Sequence, residues 1–87
     1  MEKYRLLIKS SAAKELEKIN KKDIRRITAR ISALANDPRP AGCEKLSGED
    51  KFRLRQGNYR IVYSVDDSNK SVLVVKIGHR REVYRKK

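Results

Sequence analysis

Two alternating runs meet at Gly57-Asn58 in the stretch "KFRLRQGNYRIVYSV", residues 51–65. Apolar and polar residues alternate on both sides, which is the period of a β-strand. Gly and Asn tolerate the positive φ of a two-residue hairpin turn. Such a turn pairs residue 56 with 59, 54 with 61 and 52 with 63. Phe52, Leu54, Ile61 and Tyr63 then share one face, with Tyr59 and Val65 beside them. The opposite face receives Lys51, Arg53, Arg55, Arg60, Val62 and Ser64. A slip of one residue would mix the two sets, so the pattern itself selects the register.

The rest of the chain is arranged around this hairpin. Residues 3–9, "KYRLLIK", read as a first strand. Ser10 and Ser11 offer caps for a helix through "AAKELEKI", with Ala12, Leu16 and Ile19 on one face. Asn20 with Asp23 resembles a capping pair for a second helix. There Ile24, Ile27, Ile31, Leu34 and Ala35 follow a helical period. Arg25, Arg26 and Arg30 lie off that stripe and read as a solvated face. Pro38 is expected to end the helix, and "DPRPAGCEKLSGED" reads as a loop. A third hairpin strand covers 71–77. A three-residue loop at Asp67-Ser68-Asn69 would pair 61 with 75 and 60 with 76. Leu73, Val75 and Ile77 would then join the apolar face. The fold class is therefore α+β, in the order β-α-α-β-β-β. Two helices pack on one face of a largely antiparallel sheet, and a short basic tail, "HRREVYRKK", follows. At 87 residues this is a single domain, 1–87.

The charge says what the uncovered face is for. Twenty-three Lys and Arg oppose 11 Asp and Glu, a formal net charge of +12. An excess of that size implies an anionic partner. Arg55 stands across from Arg60, and the expected second register puts Lys76 across from Arg60 as well. Like charges facing each other weaken a sheet. Same-face side chains are roughly 6.6–6.8 Å apart along a strand, close to the spacing of phosphates along a nucleic-acid strand. Phosphates would supply the missing negative charge. The competing reading is an edge strand charged against aggregation.

Several chemistries lack their residues. One His and one Cys are too few for the usual zinc site, and the acids are scattered. No P-loop and no dinucleotide glycine fingerprint is present. A single Cys43 rules out an internal disulfide and suggests a reduced, cytoplasmic protein. No apolar run is long enough to span a membrane. If this face does chemistry, the expectation is metal-free chemistry on a phosphodiester, with no cofactor. RNA permits it, because its own 2′-hydroxyl can attack the adjacent phosphate. Arginines can align the phosphate and hold its developing charge. They cannot move protons, which leaves Lys51, His79 or a Tyr. Tyr84 lies among Arg80, Arg81 and Arg85, and nearby cations favour its phenolate. Packing of the tail is the alternative role for Tyr84, and a positioning role the alternative for His79.

"PRPAGCEKLSGEDKFRLRQGNYRIVYSVDD" followed by "VLVVKIGHRREVYRKK" resembles the RelE branch of the RelE/ParE toxin superfamily, over essentially the whole chain. "RLRQGNYRIVYSV" and "IGHRREVY" carry the resemblance. It implies the toxin of a type II toxin–antitoxin system: an mRNA interferase that enters the ribosomal A site and cuts the codon there. It implies a RelB-like antitoxin, mRNA, and the ribosome with its rRNA as partners. The resemblance places catalytic roles on Lys51, Arg53, Arg60, Arg80 and Tyr84. Arg55, Lys76, His79, Arg81 and Arg85 are expected to bind RNA. The tail is shorter between Arg80 and Tyr84 than in the best-known RelE pattern, so Arg81 is the alternative to Arg80. Arg53 stands where some members have Lys. Two other functions share this fold or this charge: a ParE-like DNA gyrase poison without nuclease activity, and a non-catalytic RNA- or ribosome-binding module.

Overall fold

A computed structural model describes residues 3–46 and 51–79. Its elements are β1 (Arg5–Ile8), α1 (Ser10–Glu17), α2 (Lys21–Ala33), β2 (Glu44–Lys45), β3 (Lys51–Gln56), β4 (Tyr59–Asp66) and β5 (Ser71–His79). The strands form one sheet in the order β1-β5-β4-β3-β2. β1 runs parallel to β5, and every other pair is antiparallel. Two helices packed against this sheet make the expected α+β architecture, with one strand more than expected. The fifth strand, β2, is two residues long and falls in the segment expected to be all loop.

One continuous apolar cluster joins the layers. Ala12, Ile27, Ile31 and Leu34 come from the helical side, and Phe52, Leu54, Ile61, Tyr63, Val72, Val74 and Ile77 from the sheet. Tyr63 is fully buried, and its hydroxyl donates to the Pro38 carbonyl at 2.7 Å. That bond satisfies its one polar atom. Burial also pushes the hydroxyl above its ordinary pKa.

The helix boundaries show what overrides local sequence. α1 starts at Ser10 and its N-cap is Lys9, which makes no side-chain capping bond. Neither serine is the cap. The Lys9 amide still donates to Val74 of β5 at 2.9 Å, so the chain leaves the sheet only after residue 9. α2 does have the expected cap. Asn20 accepts from the Asp23 amide at 2.9 Å, and its own amide donates to the Asp23 carboxylate at 3.0 Å. Asn20→Ala should cost about 0.5–2 kcal/mol. In a domain of this size each 1 kcal/mol lowers Tm by roughly 4–8 °C; an unchanged thermal midpoint would remove the cap from the helix's stability. α2 ends at Ala33, well before Pro38. Tight i→i−3 bonds at Leu34, Ala35 and Asn36 unwind it, and the Ala35 carbonyl accepts from Tyr4 at 2.8 Å.

The first hairpin has the expected register: Gln56 faces Tyr59, Arg55 faces Arg60, and Phe52 faces Tyr63. The second does not. Its loop spans four residues, 67–70, because Lys70 adopts a positive φ of 52° and Asp66 binds both the backbone and the side chain of Asn69. Val65 therefore faces Val72. An irregularity between Val62 and Tyr63 shifts the pairing once more, so Arg60 faces Gly78 and Val62 faces Lys76. Val75 is the extra residue of this bulge. Val72, Val74 and Ile77 enter the core, whereas Leu73 and Val75 are only half-buried. The expected Arg60–Lys76 pairing is corrected accordingly.

Candidate anion-binding site

The pleat of β3 and β4 places Lys51, Arg53, Arg55, Arg60, Val62 and Ser64 on the side away from the helices. Arg55 is exposed, Lys51 and Arg53 are half-buried, and Arg60 is only 3% exposed. This face is less open than the sequence suggests. Arg60 lies between two unequal neighbours, the long Arg55 and the side-chain-free Gly78. One of its terminal nitrogens donates to the Tyr59 carbonyl at 3.5 Å. A buried guanidinium is already stripped of water, so its field falls off less steeply than that of a surface arginine.

Glu44 was not anticipated from sequence, yet it belongs to this face. β2 pairs Glu44 with Arg53, and one carboxylate oxygen accepts from Arg53 Nε at 3.1 Å and from a terminal nitrogen at 2.5 Å. That hydrogen bonding and charge hold the Glu44 carboxyl below its ordinary range, and Arg55 and Arg60 add to it from further off. Glu44 thus occupies the Arg53 guanidinium, and any other anion at Arg53 has to share or replace it. A two-residue strand is too short to alternate, so no sequence period could have announced it.

Lys76 is not part of the arginine row. Its ammonium lies 2.5 Å from a carboxylate oxygen of Glu15 on α1. The other oxygen accepts the Ile77 amide at 3.0 Å. Glu15 thus pins β5 just past its pairing with β1. His79 ends β5, faces Tyr59 edge-on at 5.7 Å, and lines a cavity of about 390 Å³ with Glu15, Lys18, Ile19 and Ile77. It is on β5 but set apart from the arginines of β3. Arg30 also departs from expectation: it is half-buried, and it reaches from α2 to the Arg55 carbonyl at 3.3 Å. Arg80, Arg81, Tyr84 and Arg85 lie outside the described residues.

Comparison with known proteins gives this geometry a family. The family described as the ParE toxin of the type II toxin–antitoxin system parDE matches residues 6–84. Toxin RelG of Mycobacterium tuberculosis is 37% identical over 35 residues, and the match spans 40% of each chain. The archaeal RelE–RelB complex from Pyrococcus horikoshii aligns with a TM-score of 0.78 at 28% identity, covering 90% of this chain and 96% of that one. The intact Escherichia coli RelBE toxin–antitoxin complex aligns at 0.75 with 30% identity, covering 87% and 95%. By sequence match and by fold, this chain belongs to the RelE/ParE superfamily of type II toxin–antitoxin toxins.

Proposed function

We propose that this toxin is an endoribonuclease that cleaves mRNA on the ribosome through attack of a 2′-hydroxyl on the adjacent phosphate. The observation that carries the reading is the row of Arg53, Arg55 and Arg60 on one face of β3 and β4, with Glu44 bonded to Arg53 at its edge. In this mechanism a base takes the 2′-hydroxyl proton and O2′ bonds to phosphorus. The P–O5′ bond then breaks, and O5′ takes a proton as it leaves. The product ends are a 2′,3′-cyclic phosphate and a 5′-hydroxyl. The nucleophile belongs to the substrate, so the protein supplies alignment, charge stabilisation and proton transfer. Arg53, Arg60 and Arg80 hold the phosphate oxygens, Lys51 serves the leaving group, and Tyr84 is the base. Its natural inhibitor is an antitoxin that binds the toxin, as RelB does in the complexes of the relatives.

A second function, poisoning of DNA gyrase, is favoured by one observation: the matched family is described as ParE. Induction in bacteria with mapping of RNA 5′ ends separates the two. New ends inside translated codons support cleavage; supercoiling defects without new ends overturn it.

Phosphate binding also has a salt signature. Each contacted phosphate contributes a slope of about −0.7 to log K against log salt for a single strand. Arg55→Ala should flatten the slope for single-stranded RNA by roughly that amount. Lys76→Ala should barely change it, because Glu15 already neutralises Lys76. An affinity independent of salt would rule out phosphate binding by this face.

A further inference from the structure

β1 leaves the sheet before β5 ends. Its pairing stops at Ile8 with Val74, and the Lys9 amide still donates to the Val74 carbonyl at 2.9 Å. β5 runs on to His79 with only β4 beside it among the described strands. Ile77 lies in that overhang and is 1% exposed. A buried amide needs a partner, and this one finds it on α1. One Glu15 carboxylate oxygen accepts the Ile77 amide at 3.0 Å, and the other accepts from Lys76 at 2.5 Å. Packing brings Glu15 there. Ala12, one turn earlier on the same side of the helix, is fully buried, and Leu16 and Ile19 pack against the core. Glu15 itself is half-buried. A carboxylate on the packed side of a helix is costly to desolvate, and both of its oxygens are in use.

From this contact we infer that Glu15 is a positioning residue: its bond to the Ile77 amide fixes the overhang of β5 and, through Gly78, the Arg60 guanidinium. Gly78 follows Ile77 and faces Arg60 across the sheet. Ile77 itself faces Ile61, the next residue of β4. The bond therefore acts one rung from Arg60. Arg60 is buried opposite a residue with no side chain, so its placement depends on where the Gly78 backbone runs. Stability and placement are separable here. Water entering the adjoining cavity, which Glu15, Ile77, Gly78 and His79 line, can hydrate a freed amide and limit the loss of stability. It does not hold the strand in place. The two contacts of Glu15 are separable too. Holding the amide requires an acceptor at the reach of Glu15, whereas neutralising Lys76 requires only a negative charge. The inference rests on the nuclease reading where it concerns rate, and on the geometry alone where it concerns the placement of Arg60.

The test uses the full chain with Glu15→Gln, Glu15→Asp and Glu15→Ala. Gln keeps the length and one acceptor oxygen but loses the charge. Asp keeps the charge and falls one methylene short. Each variant is read well below its own Tm. Nuclear magnetic resonance follows the Arg60 Nε–H signal and amide exchange at Ile77; single-turnover cleavage of ribosome-bound mRNA and RNA affinity are measured beside it. Glu15→Asp and Glu15→Ala should shift the Arg60 signal and speed exchange at Ile77 about tenfold or more, the scale of one lost hydrogen bond. Their cleavage rate should fall about tenfold or more through misplacement of Arg60. Their RNA affinity should change less than about twofold, so the loss is in rate and not in binding. Glu15→Gln should match wild type in every measurement. If Glu15→Ala does not fold, Glu15→Asp carries the comparison. Wild-type behaviour of Glu15→Asp, or a loss in Glu15→Gln equal to that in Glu15→Ala, overturns the inference, because the charge and not the amide bond would then matter. So does an unchanged Arg60 signal in Glu15→Asp and Glu15→Ala, which would leave Glu15 a stabilising contact alone. A wild-type protein that cuts no RNA defeats the nuclease reading, and the Arg60 signal then still decides this inference.

Discussion

Arg60→Ala is expected to slow single-turnover RNA cleavage about 10²–10³-fold, the loss associated with one preorganised donor to a developing negative charge. Arg60 is suited to that role by its burial. It is 3% exposed, it stands between Arg55 and Gly78 in the sheet register, and one terminal nitrogen lies 3.5 Å from the Tyr59 carbonyl. A donor fixed in this way does not have to reorganise as charge builds on the phosphate. Burial also makes the alanine variant less clean than a surface change, since removing the side chain leaves a hole beside the core strands. Arg60→Lys separates the effects. It keeps a charge and much of the volume but loses the planar fork that grips two oxygens. Folded Arg60→Lys protein should still be strongly impaired in rate, with RNA affinity changed far less. A near wild-type rate in either folded variant would take Arg60 out of the chemistry.

Tyr84→Phe carries the largest expected effect, about 10²–10⁴-fold in rate, the usual range for a general acid or base. The substitution removes one oxygen and keeps the ring, so RNA affinity and Tm should hardly move. Its partner experiment is His79→Ala. His79 sits edge-on to Tyr59 at the end of β5, which fits a positioning role, and its loss should be mild. The rival assignment reverses both outcomes: His79→Ala becomes crippling and Tyr84→Phe silent. Arg80→Ala and Arg81→Ala, assayed beside them, decide which arginine of the tail serves the phosphate. A wild-type rate for Tyr84→Phe would leave the tyrosine as a packing residue.

The first hairpin was legible because three signals agree on it. Gly57-Asn58 selects the turn, and the alternation on both flanks admits one register. The Asn20 cap was legible for a similar reason, since the cap and its partner are three residues apart. The second hairpin failed at two points that no local pattern marks. Asp66 stabilises a four-residue loop through Asn69, and Val75 is extruded as a bulge. Valines at 72, 74 and 75 satisfy either phase, so the apolar pattern could not arbitrate. Glu44 and Glu15 were missed because their importance comes from long-range pairing, with Arg53 across a sheet and with Lys76 from a helix. The arginines themselves were readable as a row, but the burial of Arg60 was not. It depends on what covers it, and its neighbour Gly78 became visible only once the register was known.

The parallel pairing of β1 with β5 has a consequence for how this toxin comes into being. Arg5–Ile8 binds Ser71–Val74, so among the described strands the first to be synthesised waits for the last. Contacts of such long sequence separation form slowly, because the chain must close a large loop before any of them is rewarded. During synthesis β1 has no strand partner, and the interior sheet of β3 and β4 lacks its β5 side. The arginine face therefore cannot be completed while its own message is still being read through that region. A ribosome making this protein must read through β5 before the sheet can close, so the folded toxin lags behind its own synthesis.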